Sequence, residues 1–243
     1  MEIKGFIENS LLEWEGRLSC VIFLPGCNLR CAYCHAGYLL DADKLPTIPR
    51  QTVFDALRKH TGWLDAAVIT GGEPTLHGEE LVEFIQELRD LGVEVMVETN
   101  GTRPEFLESL MEDGYLDAVS MDVKAPLTPQ DYRRVTGTDV DMGCIRRSIR
   151  AILDSGVEHE FRVTVVPGLI GREELARIAP ELKGAQTVAL QNFQPTHCLS
   201  HALCIVRPYM PEQMDALGEL MEPFAERVII RGREHALAPL EGQ

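Results

Sequence analysis

The sequence predicts an α/β fold in which parallel strands alternate with helices. Six short apolar runs rich in Val and Ile recur at residues 20–24, 66–70, 93–98, 117–123, 161–166 and 186–190. Segments with helical periodicity separate these runs, and strands that alternate with helices form βαβ units with right-handed crossovers. A closed barrel needs eight such units. Six units therefore predict a partial barrel or an open doubly wound sheet, and spacing alone does not separate the two.

Apolar spacing and chain punctuation locate the helices. An i, i+3, i+4, i+7 pattern is formed by Leu81, Phe84, Ile85 and Leu88. Similar patterns lie within residues 145–153 and 175–182. Proline is expected at first helical turns and glycine after last turns, as at Pro49, Pro104, Pro211, Gly92, Gly114 and Gly156. Pro180 interrupts the last pattern, so that helix is expected to end or kink near Ala179. A further apolar run, 228–230, follows the last helix.

Length and charge set the class of protein and its partners. The chain has 243 residues, which is enough for one domain with a substantial core. Its net charge of −15 makes nucleic acid an unlikely partner, because non-specific affinity comes from Lys and Arg that neutralise phosphates. The beginning of the chain lacks a secretory apolar region, and no run is long enough to cross a bilayer. We therefore expect a cytoplasmic protein with no membrane partner, whose seven cysteines are metal ligands or buried thiols.

Three cysteines follow the first predicted strand within one short loop. Cys27, Cys31 and Cys34 are spaced by four and three residues. The loop lies at the carboxyl end of a strand, where parallel α/β folds place their chemistry. Thiolate is the ligand that iron–sulfur clusters select, and three thiolates on a [4Fe–4S] cluster leave one iron open for a small molecule. The alternative is a zinc site completed by His35, but adjacent Cys34 and His35 would struggle to point at one tetrahedral centre.

The cysteine spacing, with an aromatic residue (Tyr33) before the third cysteine, resembles the radical S-adenosylmethionine superfamily. Within it, the chain resembles the anaerobic ribonucleoside-triphosphate reductase activating proteins, a family of glycyl-radical enzyme activases. The supporting stretches are residues 10–17 (SLLEWEGR), 23–31 (FLPGCNLRC), 68–75 (VITGGEPT), 121–126 (MDVKAP) and 161–167 (FRVTVVP). They run in family order over most of the chain, up to about residue 195.

The resemblance implies a fold and a domain organisation. The fold is a partial (β/α)6 parallel barrel of the radical SAM type, in a single domain over residues 1–243. Residues 1–17 form an N-terminal extension, residues 18–195 the core, and residues 196–243 a C-terminal loop, helix and tail.

The resemblance also implies an oxidoreductase activity. A [4Fe–4S] cluster reduced by a flavodoxin or ferredoxin cleaves S-adenosylmethionine to a 5′-deoxyadenosyl radical. The radical then abstracts hydrogen from a backbone glycine of a glycyl-radical protein, which would be anaerobic ribonucleotide reductase or a relative.

The segment Gly71, Gly72, Glu73 and Pro74 closes the second predicted strand. Two glycines let the backbone approach a ligand closely, and proline opens a helix. By itself the segment could be an ordinary βα turn. The resemblance implies that it contacts the amino group of S-adenosylmethionine.

Polar residues also follow the next three strands. Thr99 and Asn100 either shape a turn before Gly101 or bind ribose and carboxylate oxygens, as the resemblance implies. Asp122 and Lys124 are two apart on a strand, so both point to one face and can pair there. That pair is either structural or, by resemblance, adjacent to the cofactor. Arg162 and Gln191 complete the predicted cofactor-binding set, in which Arg162 offers a fork for a carboxylate.

A stretch near the C-terminus departs from the family. His197, Cys198, His201 and Cys204 lie within eight residues, so they form either a second metal site or a loop with incidental thiols. Two other functions are also open. One is radical chemistry on a small molecule or peptide, as in 7-carboxy-7-deazaguanine synthase. The other is a non-catalytic iron–sulfur electron carrier, which needs a fourth protein ligand such as His35.

Overall fold

The computed structural model describes residues 1–60 and 62–234. The strands are β1 Gly5–Ser10, β2 Ser19–Leu24, β3 Ala66–Gly71, β4 Glu94–Thr99, β5 Ala118–Asp122, β6 Glu158–Val165, β7 Ala185–Asn192 and β8 Ala225–Arg231. The α-helices are α1 Arg50–Lys59, α2 Glu79–Asp90, α3 Pro104–Glu112, α4 Pro129–Thr136, α5 Met142–Ser155, α6 Arg172–Ile178 and α7 Pro211–Gly218. Short 3-10 helices include Pro74–His77, Ala179–Leu182 and His201–Leu203.

Contacts divide the chain into two compact units. The first unit comprises Met1–Asn28, Tyr38–Thr99 and Glu105–Ser120. The second unit comprises Leu29–Gly37, Asn100–Pro104 and the described part of Met121–Gln243. The boundary passes through the loop that holds the three cysteines and through β5.

The first unit is built on a sheet that begins with an antiparallel strand. β1 pairs with β2 in the antiparallel sense, and β2, β3 and β4 then pair in parallel. β2 and β3 are almost wholly buried, which explains why they read as continuous apolar runs. α2 buries Leu81, Phe84, Ile85 and Leu88, the four residues whose spacing predicts it. The carboxyl ends of β3 and β4 therefore rest on a well-packed core.

The second unit has parallel strands β6, β7 and β8 in register. Along β6, buried Phe161, Val163 and Val165 alternate with the half-buried Arg162 and Thr164. Asp141 caps the N-terminus of helix α5, and its carboxylate accepts from the Gly143 amide at 2.8 Å. Gly156 caps the C-terminus in a left-handed conformation with φ 74°.

The sequence located most of these elements. Each of the six predicted parallel strands is present within three residues of its expected bounds, and the run at 228–230 lies in β8. The helix broken by Pro180 ends at Ile178 and continues as a 3-10 turn, as expected. Strand β1 was not predicted. The expected irregular tail lies largely outside the described residues.

Among the described residues, no helix combines the length and the apolarity that crossing a bilayer requires.

Candidate cofactor site

The three cysteines of the short loop differ in their surroundings. Cys27 belongs to the first unit, whereas Cys31 and Cys34 belong to the second, and three residues separate Cys27 from Cys31. Cys31 is buried, while Cys27 and Cys34 are half-buried. None of the three takes part in a disulfide bond. Their loop is held in each unit by hydrogen bonds to the backbone.

In the first unit, three hydrogen bonds fix the residues that precede Cys27. The Gly26 amide donates to the Leu39 carbonyl at 2.9 Å, and the Glu73 amide donates to the Gly26 carbonyl at 2.7 Å. A ring nitrogen of His77 lies 3.0 Å from the Pro25 carbonyl oxygen. Burial lowers the pKa of His77, against the opposing effect of the Pro25 hydrogen bond. The entry to the cysteine loop is therefore anchored to the turn that follows β3.

Gly71 and Gly72 permit that anchoring. Gly71 has φ 121°, which side chains of L-residues rarely adopt. Gly72 has an ordinary φ, but a Cβ at this position would overlap the carbonyl oxygen of Gly26. Both glycines are thus required by the close approach of two backbone segments. The predicted approach of a ligand at this turn stays a prediction.

Glu73 is the centre of a buried hydrogen-bond network. Its side chain is 1% exposed, and its Oε1 accepts from the Thr75 hydroxyl at 2.6 Å and from the Thr99 hydroxyl at 2.7 Å. The Thr75 amide donates to the same oxygen at 3.2 Å. Pro74 opens the 3-10 turn that carries Thr75. The network joins the ends of β3 and β4, and it brings predicted residues Glu73, Pro74 and Thr99 together.

In the second unit, the cysteine loop is held on two sides. The amides of Arg30 and Ala32 donate to the carbonyls of Thr136 and Val135, at 2.8 and 3.1 Å. These carbonyls are at the C-terminal end of α4. On the other side, Leu199 and Ser200 donate their amides to the carbonyls of Cys34 and Ala32, at 3.1 and 2.8 Å. Backbone partners therefore flank both Cys31 and Cys34.

Tyr33, between these two cysteines, is buried, and its hydroxyl has no hydrogen-bond partner. Burial raises its pKa, with Lys124, Cys31 and Asp122 close enough to influence it. A buried hydroxyl without a partner is uncommon and costs free energy. It marks a place where a bound polar group can complete the hydrogen bonding.

Asp122, Lys124 and Arg162 form a buried ionic cluster. Lys124 Nζ lies 2.8 Å from Asp122 Oδ2, and Arg162 Nε lies 2.8 Å from Asp122 Oδ1. The Lys124 and Asp122 side chains are only 15% and 19% exposed. Tyr132 contributes its hydroxyl, 3.4 Å from the Lys124 amide. Within the cluster, two cations face one carboxylate.

The charges hold each other in the ionised state. Burial acts to raise the pKa of Asp122, but Arg162 and Lys124 outweigh it and hold that pKa well below its usual range. Burial acts to lower the pKa of Lys124, but Asp122 outweighs it and raises that pKa. The cluster is therefore ionic at neutral pH.

The remaining predicted residues lie in the second unit. The Asn100 side chain accepts from the Thr102 hydroxyl and amide, at 2.7 and 3.0 Å. These bonds agree with the first of its two predicted roles, that of shaping a turn. Gln191 lies on β7 beside Thr164 of β6, and it is half-buried.

The Cys/His stretch does not gather into a metal site. The Cys198 thiol is buried, which raises its pKa to about 11, and it donates to the Gln194 carbonyl at 3.3 Å. Among residues 1–60 and 62–234, no three His, Cys, Asp or Glu side chains are grouped to hold one metal ion. Thiolates of a [4Fe–4S] cluster bind separate irons, so this finding concerns single ions and not a cluster.

Several contacts of the site have no sequence signal. His77 and Tyr132 were not predicted, and neither were the backbone partners of the cysteine loop at 135–136 and 199–200. The His77 contact and the backbone contacts of the cysteine loop join residues at least 52 apart, so only the folded chain reveals them. Tyr132 lies 8 residues from its partner Lys124. The hydrogen bond from Thr70 to Glu98, at 2.6 Å, was also missed.

The class of protein is now defined. Residues 21–179 match the family model described as the radical SAM superfamily. This span exceeds half of the chain, which therefore belongs to the radical SAM superfamily and is an enzyme of that class.

Three individual relatives show which members of the superfamily this chain is similar to. A candidate glycyl-radical enzyme activating enzyme of Methanocaldococcus jannaschii is 29% identical, over 94% of this chain and 95% of the relative. A 7-carboxy-7-deazaguanine synthase of Thermococcus kodakarensis is 25% identical, over 95% and 88%. The pyruvate formate-lyase-activating enzyme of Streptococcus mutans is 28% identical, over 74% and 71%. The predicted resemblance to glycyl-radical enzyme activases is confirmed.

Solved structures confirm the fold. TYW1 with a lysine-pyruvate adduct aligns with a TM-score of 0.62 at 14% identity, over 90% of this chain and 78% of that chain. Methylornithine synthase (PylB) aligns with a TM-score of 0.64 at 16% identity, over 87% and 63%. At these identities the likeness concerns the fold alone, and the predicted α/β fold of the radical SAM type is confirmed.

Proposed function

We propose that this enzyme generates a glycyl radical on a partner protein, which is anaerobic ribonucleotide reductase or a relative. In this proposal a [4Fe–4S] cluster is held by Cys27, Cys31 and Cys34, and S-adenosylmethionine binds beside it. A flavodoxin or ferredoxin supplies the electron. We place the reaction in the cytoplasm.

One observation carries the choice of reaction. The M. jannaschii relative matches over 94% of this chain and 95% of its own length, so the similarity extends well beyond the part that holds the cysteines. The S. mutans relative, a pyruvate formate-lyase-activating enzyme, adds a second activase over 74% of the chain. Two relatives of one type support a radical acceptor that is itself a protein.

In the first unit, the turn at residues 71–74 favours the proposal that S-adenosylmethionine binds here. A Cβ at Gly72 would overlap the carbonyl oxygen of Gly26, one residue before Cys27, so the turn holds only glycine at this position. Glu73 is ionisable, buried and held by two threonine hydroxyls. We propose that this turn binds the amino group of S-adenosylmethionine, with backbone carbonyls as acceptors and Glu73 fixing the turn.

In the second unit, several buried side chains favour binding of a ligand that carries a carboxylate. The cluster of Asp122, Lys124 and Arg162 is mostly buried, and Lys and Arg are the side chains that bind carboxylates through charge-assisted hydrogen bonds. The Tyr33 hydroxyl, also buried, has no hydrogen-bond partner and can bind a polar group. A small zwitterionic ligand with a carboxylate and hydroxyls suits these groups, and we propose that Asn100 and Gln191 belong to the same binding region.

The cofactors would supply the radical chemistry, since a reduced cluster with one open iron provides the electron that splits S-adenosylmethionine into methionine and a 5′-deoxyadenosyl radical. The protein's own contribution is binding and orientation. Arg30 and Ala32 fix the backbone around Cys31, and Leu199 fixes it at Cys34. No side chain is required as an acid or a base.

The test begins with the cofactors. Anaerobically reconstituted protein is assayed for iron and for 5′-deoxyadenosine, with Cys31→Ala as the variant. Cys144→Ala is the matched control, because Cys144 is a half-buried thiol on α5 outside the loop. We expect Cys31→Ala to lose both cluster and product and Cys144→Ala to retain both. An active Cys31→Ala protein would refute the proposed cluster ligands.

The partner is tested by electron paramagnetic resonance. The reconstituted enzyme, reductant and S-adenosylmethionine are mixed anaerobically with anaerobic ribonucleotide reductase or a related glycyl-radical protein. A glycyl doublet on the partner is expected, and it should disappear when the partner's radical glycine is replaced by alanine. Formation of 5′-deoxyadenosine without any glycyl signal would retain the radical SAM reaction but reject this partner class.

A second candidate function is radical chemistry on a small molecule. The T. kodakarensis relative, a 7-carboxy-7-deazaguanine synthase, covers 95% of this chain at 25% identity. Its identity is four points lower than that of the M. jannaschii relative, which places it second. Formation of 7-carboxy-7-deazaguanine by the reconstituted enzyme, without a glycyl signal on a partner protein, would favour this alternative.

A non-catalytic electron carrier, the remaining alternative from the sequence, disagrees with the family match, which makes the chain an enzyme. It needs a fourth protein ligand on the cluster, for which His35 is adjacent in sequence. Addition of S-adenosylmethionine should change the resonance spectrum of the reduced cluster if an iron is open. An unchanged spectrum together with absent 5′-deoxyadenosine would favour the carrier.

A further inference from the structure

The side chain of Tyr132 joins helix α4 to the segment that follows strand β5. Tyr132 is fully buried, and its hydroxyl accepts the Lys124 amide at 3.4 Å. The preceding amide, of Val123, donates to the Arg162 carbonyl of β6 at 2.9 Å. The two residues that follow the end of β5 are therefore held from two elements, one by the backbone of β6 and one by a side chain of α4.

Tyr132 is itself held in place within its helix. Its amide donates to the Thr128 carbonyl at 3.0 Å, and its carbonyl accepts the Thr136 hydroxyl at 2.7 Å. A buried aromatic ring in a close-packed interior has little room to move. The Tyr132 hydroxyl is thus a fixed point to which the Lys124 backbone is attached.

The same part of α4 also holds the cysteine loop. The amide of Ala32, next to Cys31, donates to the Val135 carbonyl at 3.1 Å. Tyr132 and Val135 are three residues apart on the helix, and both are fully buried. About one turn of α4 therefore supports both the cysteine loop and Lys124.

We propose that Tyr132 is a positioning residue for Lys124, whose ammonium group it places, through the backbone, to bind the carboxylate of S-adenosylmethionine. Lys124 Nζ also pairs with Asp122 Oδ2 at 2.8 Å, so a shift of the Lys124 backbone would move the ammonium between that partner and the ligand. The inference rests on the proposed binding of a ligand carboxylate by Lys124 and Arg162. It does not depend on the identity of the radical acceptor.

Tyr132→Phe removes only the hydroxyl and deprives the Lys124 amide of this acceptor. Loss of one hydrogen bond changes an equilibrium constant by about three- to tenfold. We expect the Kd of S-adenosylmethionine to rise by this factor. Decarboxylated S-adenosylmethionine lacks the group that Lys124 is proposed to bind, so its Kd should be the same for the variant and the wild type.

The test is equilibrium dialysis of both ligands against the anaerobically reconstituted full chain, without reductant so that neither ligand is cleaved. Tyr115→Phe is the matched control, because the Tyr115 hydroxyl accepts from the Gln86 side chain at 3.0 Å at an exposed position of the first unit. It should leave both constants unchanged. Iron content should be equal in all proteins, since backbone carbonyls of α4, and not the Tyr132 hydroxyl, hold the cysteine loop.

A double-mutant cycle shows whether Tyr132 acts through Lys124. In a Lys124→Met background, Tyr132→Phe should no longer change the Kd of S-adenosylmethionine. Hydrogen exchange resolved at single amides by fragmentation in the mass spectrometer gives a measurement that needs no ligand. We expect the Lys124 amide to exchange faster in Tyr132→Phe than in the wild type, and the Val123 amide to exchange at the same rate in both.

Several results would overturn the proposal. An unchanged Kd of S-adenosylmethionine in Tyr132→Phe, or an effect that persists in the Lys124→Met background, would show that the hydroxyl does not act through Lys124. Equal weakening of both ligands, or loss of iron or of the fold, would leave Tyr132 with a structural role alone. A wild type that binds both ligands equally would reject the proposed carboxylate site and this inference with it, whereas a wild type that prefers S-adenosylmethionine no more than Tyr132→Phe does would reject the inference alone if that preference is clear.

Discussion

The carbonyl oxygen of Gly26 leaves no room for a side chain at Gly72. A Cβ there would overlap this oxygen, although the φ of Gly72 is one that any residue can adopt. The requirement for glycine is thus a requirement for close backbone packing, in contrast to Gly71, where a φ of 121° also excludes other residues. The same carbonyl accepts the Glu73 amide, so the site cannot relax without losing a buried hydrogen bond.

Gly72→Ala should therefore destabilise the protein. Overpacking of a close contact costs about 1–3 kcal/mol. Gly37→Ala is the matched control, because a Cβ at Gly37 would meet only the Leu199 side chain at an ordinary 3.4 Å. Urea unfolding monitored by circular dichroism gives both free energies. Equal midpoints for the two variants would contradict the close-packing argument.

Asp122 has a different role, since its carboxylate pairs with two cations at once. Removal of one partner from a buried ionic cluster costs about 3–5 kcal/mol, because a charge is left without compensation. Asp122→Asn should lower the free energy of unfolding by this amount at pH 7. Asp139→Asn is the control: Asp139 pairs with Arg133 at 3.0 Å, but the side chains are 74% and 69% exposed. Such exposed pairs contribute about 0–1 kcal/mol. If Asp122→Asn lowered the free energy of unfolding by no more than Asp139→Asn, this would contradict the assignment of Asp122 to a buried ionic cluster.

The effect of Asp122 also depends on pH. Its pKa is lowered on folding from an ordinary value of 3.8. The stabilisation is therefore present above about pH 4 and is lost as the pH falls towards the lowered folded value. The difference between wild type and Asp122→Asn should shrink steadily below about pH 4 in urea titrations at several pH values. A difference that is constant from pH 7 to pH 3 would be inconsistent with this linkage.

Among individual residues, the contacts that could be predicted from the sequence are those between residues close together along the chain. Asp122 and Lys124 could be paired from the sequence because alternate residues of a strand share a face, and their contact is observed. Arg162 could be expected to bind a carboxylate, but its observed partner is Asp122, a protein residue. His77 could not be anticipated, since its partner Pro25 is 52 residues away.

At the element scale, α4 determines the position of the cysteine loop. The last carbonyls of a helix lack partners within the helix. In α4 two of them accept the amides of Arg30 and Ala32. Gly137 ends the helix with φ 64°, and a Cβ there would lie 3.1 Å from the Arg30 carbonyl oxygen. The helix end is therefore shaped to receive the loop.

Gly137→Ala and Gly156→Ala form a matched pair that tests this role. Both glycines end helices with positive φ, so each alanine incurs a left-handed penalty of about 1–2 kcal/mol. At Gly156 no atom lies within 4 Å of the new Cβ, whereas at Gly137 the Arg30 backbone must move. We expect Gly137→Ala to lose more stability and, after reconstitution, more iron than Gly156→Ala. Identical losses in both measurements would show that α4 does not position the loop.

The parallel strands could be predicted because burial on both faces produces continuous apolar runs, as in β2 and β3. Strand β1 was missed because its sequence, GFIENS, holds only two large apolar residues and none of its residues is buried. It exists through antiparallel pairing with β2, which is a tertiary effect. The ends of helices were easier to predict than strand β1, since Pro and Gly mark them in the sequence.

At the scale of the whole molecule, the order of motifs along the chain identified the superfamily, and the family match at 21–179 confirms it. The single domain expected over 1–243 stays a prediction. The radical acceptor could not be read from residue patterns, because the proposed hydrogen abstraction needs no acid or base on this chain that would identify the substrate. Charge is the other property of the whole molecule that the sequence determines.

The chain carries 38 acidic and 23 basic residues, a net charge of −15. Net charge of this size opposes the compact state through self-repulsion. Salt shortens the screening length from about 30 Å at 0.01 M to about 8 Å at 0.15 M, which weakens the repulsion. Salt also weakens the attractive exposed ion pairs, but each of these contributes only about 0–1 kcal/mol. We therefore expect the urea midpoint at pH 7 to rise between these two concentrations of sodium chloride.

The same titration near pH 4.9 supplies the control for this prediction. At that pH the positive and negative charges of the sequence balance, so self-repulsion is small and salt acts mainly on the attractive pairs. The rise of the midpoint seen at pH 7 should then vanish or reverse. Because sodium chloride is the same in both series, any effect of the salt on apolar surfaces is common to them and cancels in the comparison. A midpoint that falls with salt at pH 7 would mean that local ion pairs, and not the net charge, dominate the electrostatic free energy of this protein.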